Sequence, residues 1–195
     1  MGFRFPPGCR GGPSSKEGET VKRGFTIWFT GLSGAGKTTI SRLVEAELRR
    51  RDFQVEVLDG DVVRQNMSQG LGFSKADRDT NIRRIAFVSK LLTRNNVATL
   101  VAAISPYREA REEARKEIGN FVEVYVKCPL ETCMARDDKG LYKRALEGTI
   151  SNFTGVSDPY EEPLEPEIVL YTDQETPEQC AARVLRRLQE LKYIT

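Results

Sequence analysis

The chain has 195 residues, 39% of them hydrophobic and 30% charged, which suits one α/β domain with a sizeable core. No apolar run approaches the roughly 20 residues that span a bilayer, no secretory leader is recognisable, and histidine is absent, which excludes Ser-His and Cys-His triads and histidine-held metals. Net charge is +2; Arg4, Arg10, Lys16, Lys22 and Arg23 outweigh Glu17 and Glu19, so residues 1–24 carry +3 and the rest −1, and a cytoplasmic protein without nucleic-acid or membrane partners is expected.

Residues 1–24, with Pro6, Pro7, Pro13 and several glycines, predict a flexible or surface-draped arm. The body, 25–195, alternates strands and helices. Phe25 to Thr30 reads as a buried strand, and Thr39 to Arg51 reads as a helix with Ile40, Leu43, Val44 and Leu48 on its apolar face. Between them Gly31-Leu32-Ser33-Gly34-Ala35-Gly36-Lys37-Thr38 fills every fixed position of G-x-x-x-x-G-K-[ST]. In a strand–loop–helix setting this string cradles phosphates: backbone N–H groups and the helix N-terminus face the oxygens. The lysine reaches the β- and γ-phosphates and the Thr hydroxyl ligates Mg²⁺.

Gln54 to Leu58 predicts a second strand, ending at Asp59-Gly60-Asp61. Two carboxylates at a strand end suit a base and a metal-water ligand, although an ordinary tight turn uses the same residues. Asp77 to Arg94 predicts a helix capped by Asp77 or Asp79. Val97 to Ile104 is a buried strand, followed by Ser105-Pro106-Tyr107, with Pro106 expected in the first turn of the helix ending at Ile118. Phe121 to Val126 and Ile168 to Tyr171 are further strands, and Pro177 to Leu191 is a closing helix with a seam of Ala181, Val184, Leu185, Leu188 and Leu191. Residues 137–167 break the alternation and read as a lid or a solvated connector. The cysteines Cys9, Cys128, Cys133 and Cys180 show no C-x-x-C or zinc spacing.

Alternating strands and helices imply a mostly parallel five-stranded sheet covered on both faces, with ligands outside the carboxyl ends of the strands. Gly31–Thr38, Asp59–Asp61 and Ser105–Tyr107 should therefore share one crevice. The residues alone leave open a kinase for another small metabolite, such as gluconate, shikimate or a nucleoside monophosphate, and a nucleotide-binding switch without transferase activity.

The motifs Phe29–Thr39, Leu58–Asp61, Leu71–Ser74, Asn81–Ala86, Ile104–Tyr107, Lys139–Tyr142 and Phe153–Gly155 occur in the order and near the spacing of one family. The chain resembles the adenylyl-sulfate kinases over nearly all of residues 23–193. The resemblance implies a three-layer P-loop NTPase fold with a lid at about 137–167. It also implies transfer of the ATP γ-phosphate to the 3′-hydroxyl of adenylyl sulfate, with Mg²⁺. Gly31 to Thr38, with Thr39, would hold ATP, and Arg136 would lie near its adenine. Asp61 would be the base and, with Thr38, would serve the metal. Asp59 and Arg64 would contact the acceptor, Phe73 would pack on its adenine, and Arg78 and Asn81 would bind its phosphosulfate beside Ile104 and Ser105. Lys37 and Lys139 would neutralise developing charge, and Asn152 and Phe153 would complete the acceptor pocket. The serine at position 105 is often labelled a phosphoserine intermediate in this family, whereas direct in-line transfer is favoured here. Val62 and Asp138 depart from the family's usual Asn and small apolar residue, and no redox switch is expected. A homodimer and a functional link to ATP sulfurylase also follow from the resemblance.

Overall fold

Strand β1 (Phe25–Thr30) is buried at every position in the computed structural model, which describes residues 22–195. Residues 1–21, and with them most of the expected arm and Cys9, lie outside the described residues. A strand buried on both sides cannot alternate between apolar and charged residues, and β1 instead alternates between two interiors. Phe25, Ile27 and Phe29 enter one apolar core, and Trp28 enters the other.

Around β1 the described residues form α1 (Lys37–Arg50), β2 (Val55–Asp59), α2 (Gly60–Asn66), α3 (Lys75–Arg94), β3 (Ala98–Ala102), α4 (Arg108–Ile118), β4 (Phe121–Lys127), α5 (Leu130–Ala135), α6 (Leu141–Leu146), β5 (Ile168–Tyr171) and α7 (Pro177–Glu190). The sheet order is β2-β3-β1-β4-β5 and all four pairings are parallel. Helices α1 and α7 cover one face, where Ile40, Val44 and Leu48 join Val184 and Leu188. Helices α3 and α4 cover the other, where Ile82, Ile85, Ala110 and Ala114 surround Trp28, whose ring lies 5.5 Å from that of Phe121. The α/β fold expected from the P-loop setting is the one observed.

Register aligns the functional ends. Asp59 of β2 and Phe29 of β1 both pair with Ala102 of β3, and Thr30 pairs with Tyr125 of β4. The carboxyl ends of four strands are therefore level, and the order reverses at β1, where an open parallel sheet forms its crevice.

Three local expectations are corrected. Helix α3 begins at Lys75, not Asp77. Its cap is Ser74, whose Oγ accepts from the Asp77 backbone N–H at 3.2 Å and donates to Asp77 Oδ2 at 2.6 Å. The short hydroxyl reaches the orphan first-turn amides better than a carboxylate already inside the helix. Pro106 lies before the cap of α4, because Ser105 takes φ 42° and the helix starts only after Tyr107. Asp59-Gly60-Asp61 is not a simple turn: Asp59 caps α2, and Asp61 sits in its first turn.

Cys128, Cys133 and Cys180 are buried free thiols, as their apolar settings suggest. Among the described residues no helix is long and apolar enough to cross a membrane.

Helix α7 offers a stability comparison. Thr176 and Gln179 form a reciprocal capping box at its start, while Leu188 is fully buried against α1. Urea unfolding should show a loss of about 1 kcal/mol for Thr176→Ala and about 3 kcal/mol for Leu188→Ala. Equal losses would mean that the seam relaxes around the deletion.

Candidate functional site

The loop between β1 and α1 is held by close backbone approach. Gly31 has φ 146°, and a Cβ there would lie 2.4 Å from the Val126 carbonyl oxygen of β4. Gly36 caps α1 in the left-handed region with no side-chain bond, and the first turn contains no acidic residue. The first-turn amides thus face the loop with a positive helix end and no competing carboxylate, which is what a bound anion requires.

Lys37 is buried, and its Nζ donates to the carbonyls of Gly31 at 2.9 Å and Leu32 at 2.7 Å. Burial disfavours the ammonium and pulls its pKa down to about 8, against the pull of the Asp59 and Asp61 carboxylates. Thr38 donates its hydroxyl to Asp59 Oδ2 at 2.7 Å, and Asp59 Oδ1 accepts from the Asp61 backbone N–H at 3.0 Å. Gly60 lets this segment lie flat on β3, since a Cβ there would be 3.2 Å from the Ala102 carbonyl oxygen. Asp61 is exposed and pairs with Lys139, which lies between α5 and α6; that bond raises the Lys139 pKa.

The 137–167 segment is tied back to the loop as well as to Asp61. Tyr142 Oη donates to the Ser33 carbonyl at 2.9 Å, and the Gly155 backbone packs on Leu32. Phe153 is buried edge-on to Tyr142, with ring centroids 5.0 Å apart, so its ring belongs to the core rather than to an open pocket wall. Asn152 is exposed with φ 54°, and its carbonyl accepts from Arg78.

On the far side of the crevice Phe73 stays 46% exposed between two guanidiniums, Arg64 at 4.2 Å and Arg78 at 5.6 Å from the ring centroid. The ring makes cation–π contact with the guanidiniums and keeps nearly half of its surface open to the crevice. Arg78 is buried, and its Nε donates to the Phe73 carbonyl at 3.0 Å. Asn81 is buried and accepts from the Ser68 hydroxyl.

Ser105 is 2% exposed. Its hydroxyl accepts from Trp28 Nε1 at 3.0 Å and donates to Thr30 Oγ1 at 3.0 Å. Thr30 gives its own proton to the Ile104 carbonyl at 2.7 Å and meets Tyr160 Oη at 2.9 Å. With one proton per hydroxyl, the Ser105 proton is already committed. At the opposite corner Arg136 donates to the Thr172 carbonyl at 2.8 Å, and Thr172 Oγ1 donates to the Ala35 carbonyl at 2.9 Å, so the residue expected near the nucleotide base borders the phosphate loop. Ala35 itself is buried, while Thr39 is exposed on the first turn of α1.

The strand-end motifs named from sequence thus meet at the level carboxyl ends. The hydroxyl of Thr38 meets Asp59, while Asp61 meets Lys139. Tyr107 was named only within the motif after β3, and sequence reasoning gave no role to Arg111, Asp158 or Tyr160. Their types carry no motif of their own; a Tyr in Asp158-Pro159-Tyr160 beside a long irregular segment was the available signal. Among the described residues no cluster of three or more carboxylates or cysteines could cage a metal. The hard oxygens of Thr38 and Asp59 suit an ion that keeps waters and binds through phosphates, as Mg²⁺ does.

The Adenylylsulphate kinase family profile matches residues 23–171. An adenylyl-sulfate kinase of Rippkaea orientalis is 60% identical over 173 residues, which cover 89% of this chain and 96% of the relative. A Sorangium cellulosum protein named "Probable bifunctional SAT/APS kinase 2" is 56% identical over 171 residues, covering 88% of this chain and 29% of that longer protein. Among solved structures, the Mycobacterium tuberculosis APS kinase in complex with AMPPNP and APS matches with a TM-score of 0.83 at 42% identity, covering 86% of this chain and 98% of that one.

The depressed Lys37 pKa has a measurable consequence. A triphosphate favours the ammonium, so above pH 8 its binding must load a proton that the free protein has released. Calorimetric titration with a nucleoside triphosphate at pH 9, in buffers of different ionisation enthalpy, should show net proton uptake approaching one. Uptake should fade below pH 7, where Lys37 is already charged. Heats independent of buffer at pH 9 would contradict the assignment.

Proposed function

Because the chain belongs to the adenylyl-sulfate kinase family, we propose that its crevice transfers the ATP γ-phosphate to the 3′-hydroxyl of adenylyl sulfate, giving 3′-phosphoadenylyl sulfate and ADP. The division of Asp59-Gly60-Asp61 between Thr38 on the donor side and Lys139 on the acceptor side carries this reading. A phosphoryl transfer needs little covalent chemistry from the protein. It needs an in-line arrangement, charge neutralisation and a proton acceptor.

Gly31 to Thr38 hold the triphosphate, and Lys37 turns from its two carbonyl partners to the phosphate oxygens. Arg136 borders the adenine of ATP. Thr38, which bonds to Asp59, would hold Mg²⁺ together with Asp59 or with the Asp61 expected from sequence, and the ion would supply charge neutralisation at the phosphates. Asp61 accepts the 3′-hydroxyl proton. Its carboxylate is exposed to the crevice, and its present partner Lys139 is a flexible cation that can swing to the transferring phosphate. Phe73, with Arg64, stacks on the acceptor adenine, and Arg78 with Asn81 receives the phosphosulfate. Ile104 contributes its backbone, Asn152 borders the pocket, and Phe153 supports it from the core. Within residues 137–167 the part around Lys139 acts as the lid, whereas 153–162 is fastened by the Phe153, Asp158 and Arg111 contacts.

Direct in-line transfer fits Ser105 better than a phosphoserine does. The hydroxyl is buried, its proton is committed to Thr30, and no base adjoins it to release that proton. The reading includes a cytoplasmic homodimer. It also includes a functional link to ATP sulfurylase, for which the bifunctional Sorangium relative is support.

Coupled ADP release should be much faster with adenylyl sulfate than with AMP, gluconate or shikimate; a rate with AMP as high as with adenylyl sulfate would overturn the assignment. Asp61→Asn should lower kcat roughly 100-fold or more if it is the base, and a wild-type rate in that variant would reject the role. Ser105→Ala should keep substantial turnover, and its complete inactivity in a folded protein would restore the phosphoserine.

A further inference from the structure

Asp158 stands at a junction that the reaction described above does not use. One oxygen, Oδ2, accepts from Tyr107 Oη at 2.7 Å and lies 3.9 Å from Arg78 Nε. Both charged side chains are largely shielded, at 8% exposure for Arg78 and 18% for Asp158. Burial alone lowers the Arg78 pKa, and Asp158 is the first of the charges that oppose it. Burial and the Asp158 bond together push the Tyr107 phenol up to about 12, so it stays a donor to the carboxylate at any working pH.

The carboxylate is held from its own side too. Asp158 pairs with Thr154 in an isolated parallel bridge, and its carbonyl accepts from the Gly155 N–H at 2.8 Å. Three residues on, the chain is fastened by Arg111, which is fully buried in α4. Arg111 donates to the Glu161 carbonyl at 2.7 Å, to the Ser105 carbonyl at 2.6 Å and to Glu123 Oε1 at 2.8 Å. A single guanidinium thereby joins the end of the irregular segment to the left-handed residue after β3. Arg78 itself is clamped at both ends, with the carbonyls of Phe73 and Asn152 taking two of its N–H groups.

We propose that Asp158 is a positioning residue for the acceptor: it charge-balances Arg78 in the orientation that the Phe73 and Asn152 carbonyls set, so that the guanidinium meets the phosphosulfate of adenylyl sulfate without reorganising. The proposal rests on the reading of Arg78 as a phosphosulfate ligand. An arginine aimed in advance binds its anion without first losing rotamer freedom. A carboxylate 3.9 Å away also keeps the buried charge tolerable while the site is empty, at a distance long enough not to compete as a bidentate partner. The Asp158 side chain bonds to Tyr107 and pairs with Arg78 but makes no bond to Asp61, Lys139 or the phosphate loop, so its effect should fall on acceptor binding and spare the donor.

Steady-state kinetics of four full-length proteins test this: wild type, Asp158→Asn, Arg78→Ala and the double variant. Asp158→Asn keeps size and an acceptor oxygen for Tyr107 but removes the charge. Its KM for adenylyl sulfate should rise about 10-fold, while the KM for ATP moves less than about 2-fold. In the Arg78→Ala background the same substitution should add less than about 2-fold. Equal effects in both backgrounds, or an unchanged KM for adenylyl sulfate in Asp158→Asn, would overturn the proposal. An unchanged KM for adenylyl sulfate in Arg78→Ala would instead overturn the reading beneath it. If Asp158→Asn does not fold, Tyr107→Phe tests the placement of the carboxylate instead, because it removes the bond that holds Oδ2 and keeps the charge. The KM for adenylyl sulfate should then rise, and the KM for ATP should not. A change that persists in the Arg78→Ala background would count against the proposal.

Discussion

Asp59 uses its two carboxylate oxygens in different directions, and much of the site depends on that division. Oδ2 takes the hydroxyl of Thr38 at the start of α1, and Oδ1 takes the backbone N–H of Asp61 at the start of α2. One side chain therefore couples the phosphate loop to the segment that presents the proposed base. The coupling is possible because Asp59 ends β2 level with Ala102 of β3, and Ala102 is level with Phe29 of β1. A register shift of one residue would turn Asp59 to the opposite face of the sheet and break both bonds.

A second set of bonds works from beneath. Thr30, Ser105 and Tyr160 share hydroxyl contacts next to Trp28, and Arg111 with Glu123 lies behind them, almost wholly buried. A buried ion pair is weak support for stability, because desolvation offsets most of the attraction. Its value here is directional. Three N–H groups of Arg111 reach three different segments, so β4, the turn after β3 and the 158–162 stretch hold fixed relative positions. The Ser105 hydroxyl is buried in that setting, and its left-handed backbone is flanked by bonds to Thr30 and Arg111.

The irregular stretch after α5 is attached at both substrates' sides. Tyr142 bonds to the phosphate loop, Lys139 pairs with Asp61, and Asp158 pairs with Arg78. The first and last of these are shielded, whereas Lys139 and Asp61 are both about two-thirds exposed. An exposed pair is worth little and exchanges easily, so the contact nearest the proposed chemistry is also the one most readily given up to a phosphate.

The phosphate loop, the alternation of strands and helices and the two carboxylates at the end of β2 were all legible in the residue order. Each depends on local spacing: glycines that permit a tight curl, apolar runs with strand or helix period, and acids placed where a strand must end. The capping of α3 by Ser74 was equally local and was misread only because Asp77 and Asp79 are also good caps. Tertiary structure decided which acid meets Thr38, that Ser105 lies buried with its proton committed, that the Phe153 ring joins the core, and that Asp158 reaches Arg78. Those outcomes join residues 21 to 80 positions apart through strand register and a return of the chain across the sheet. Spacing along the sequence has no access to such distances, because the energy that fixes them is the burial of whole strands and helices rather than the preference of any short segment.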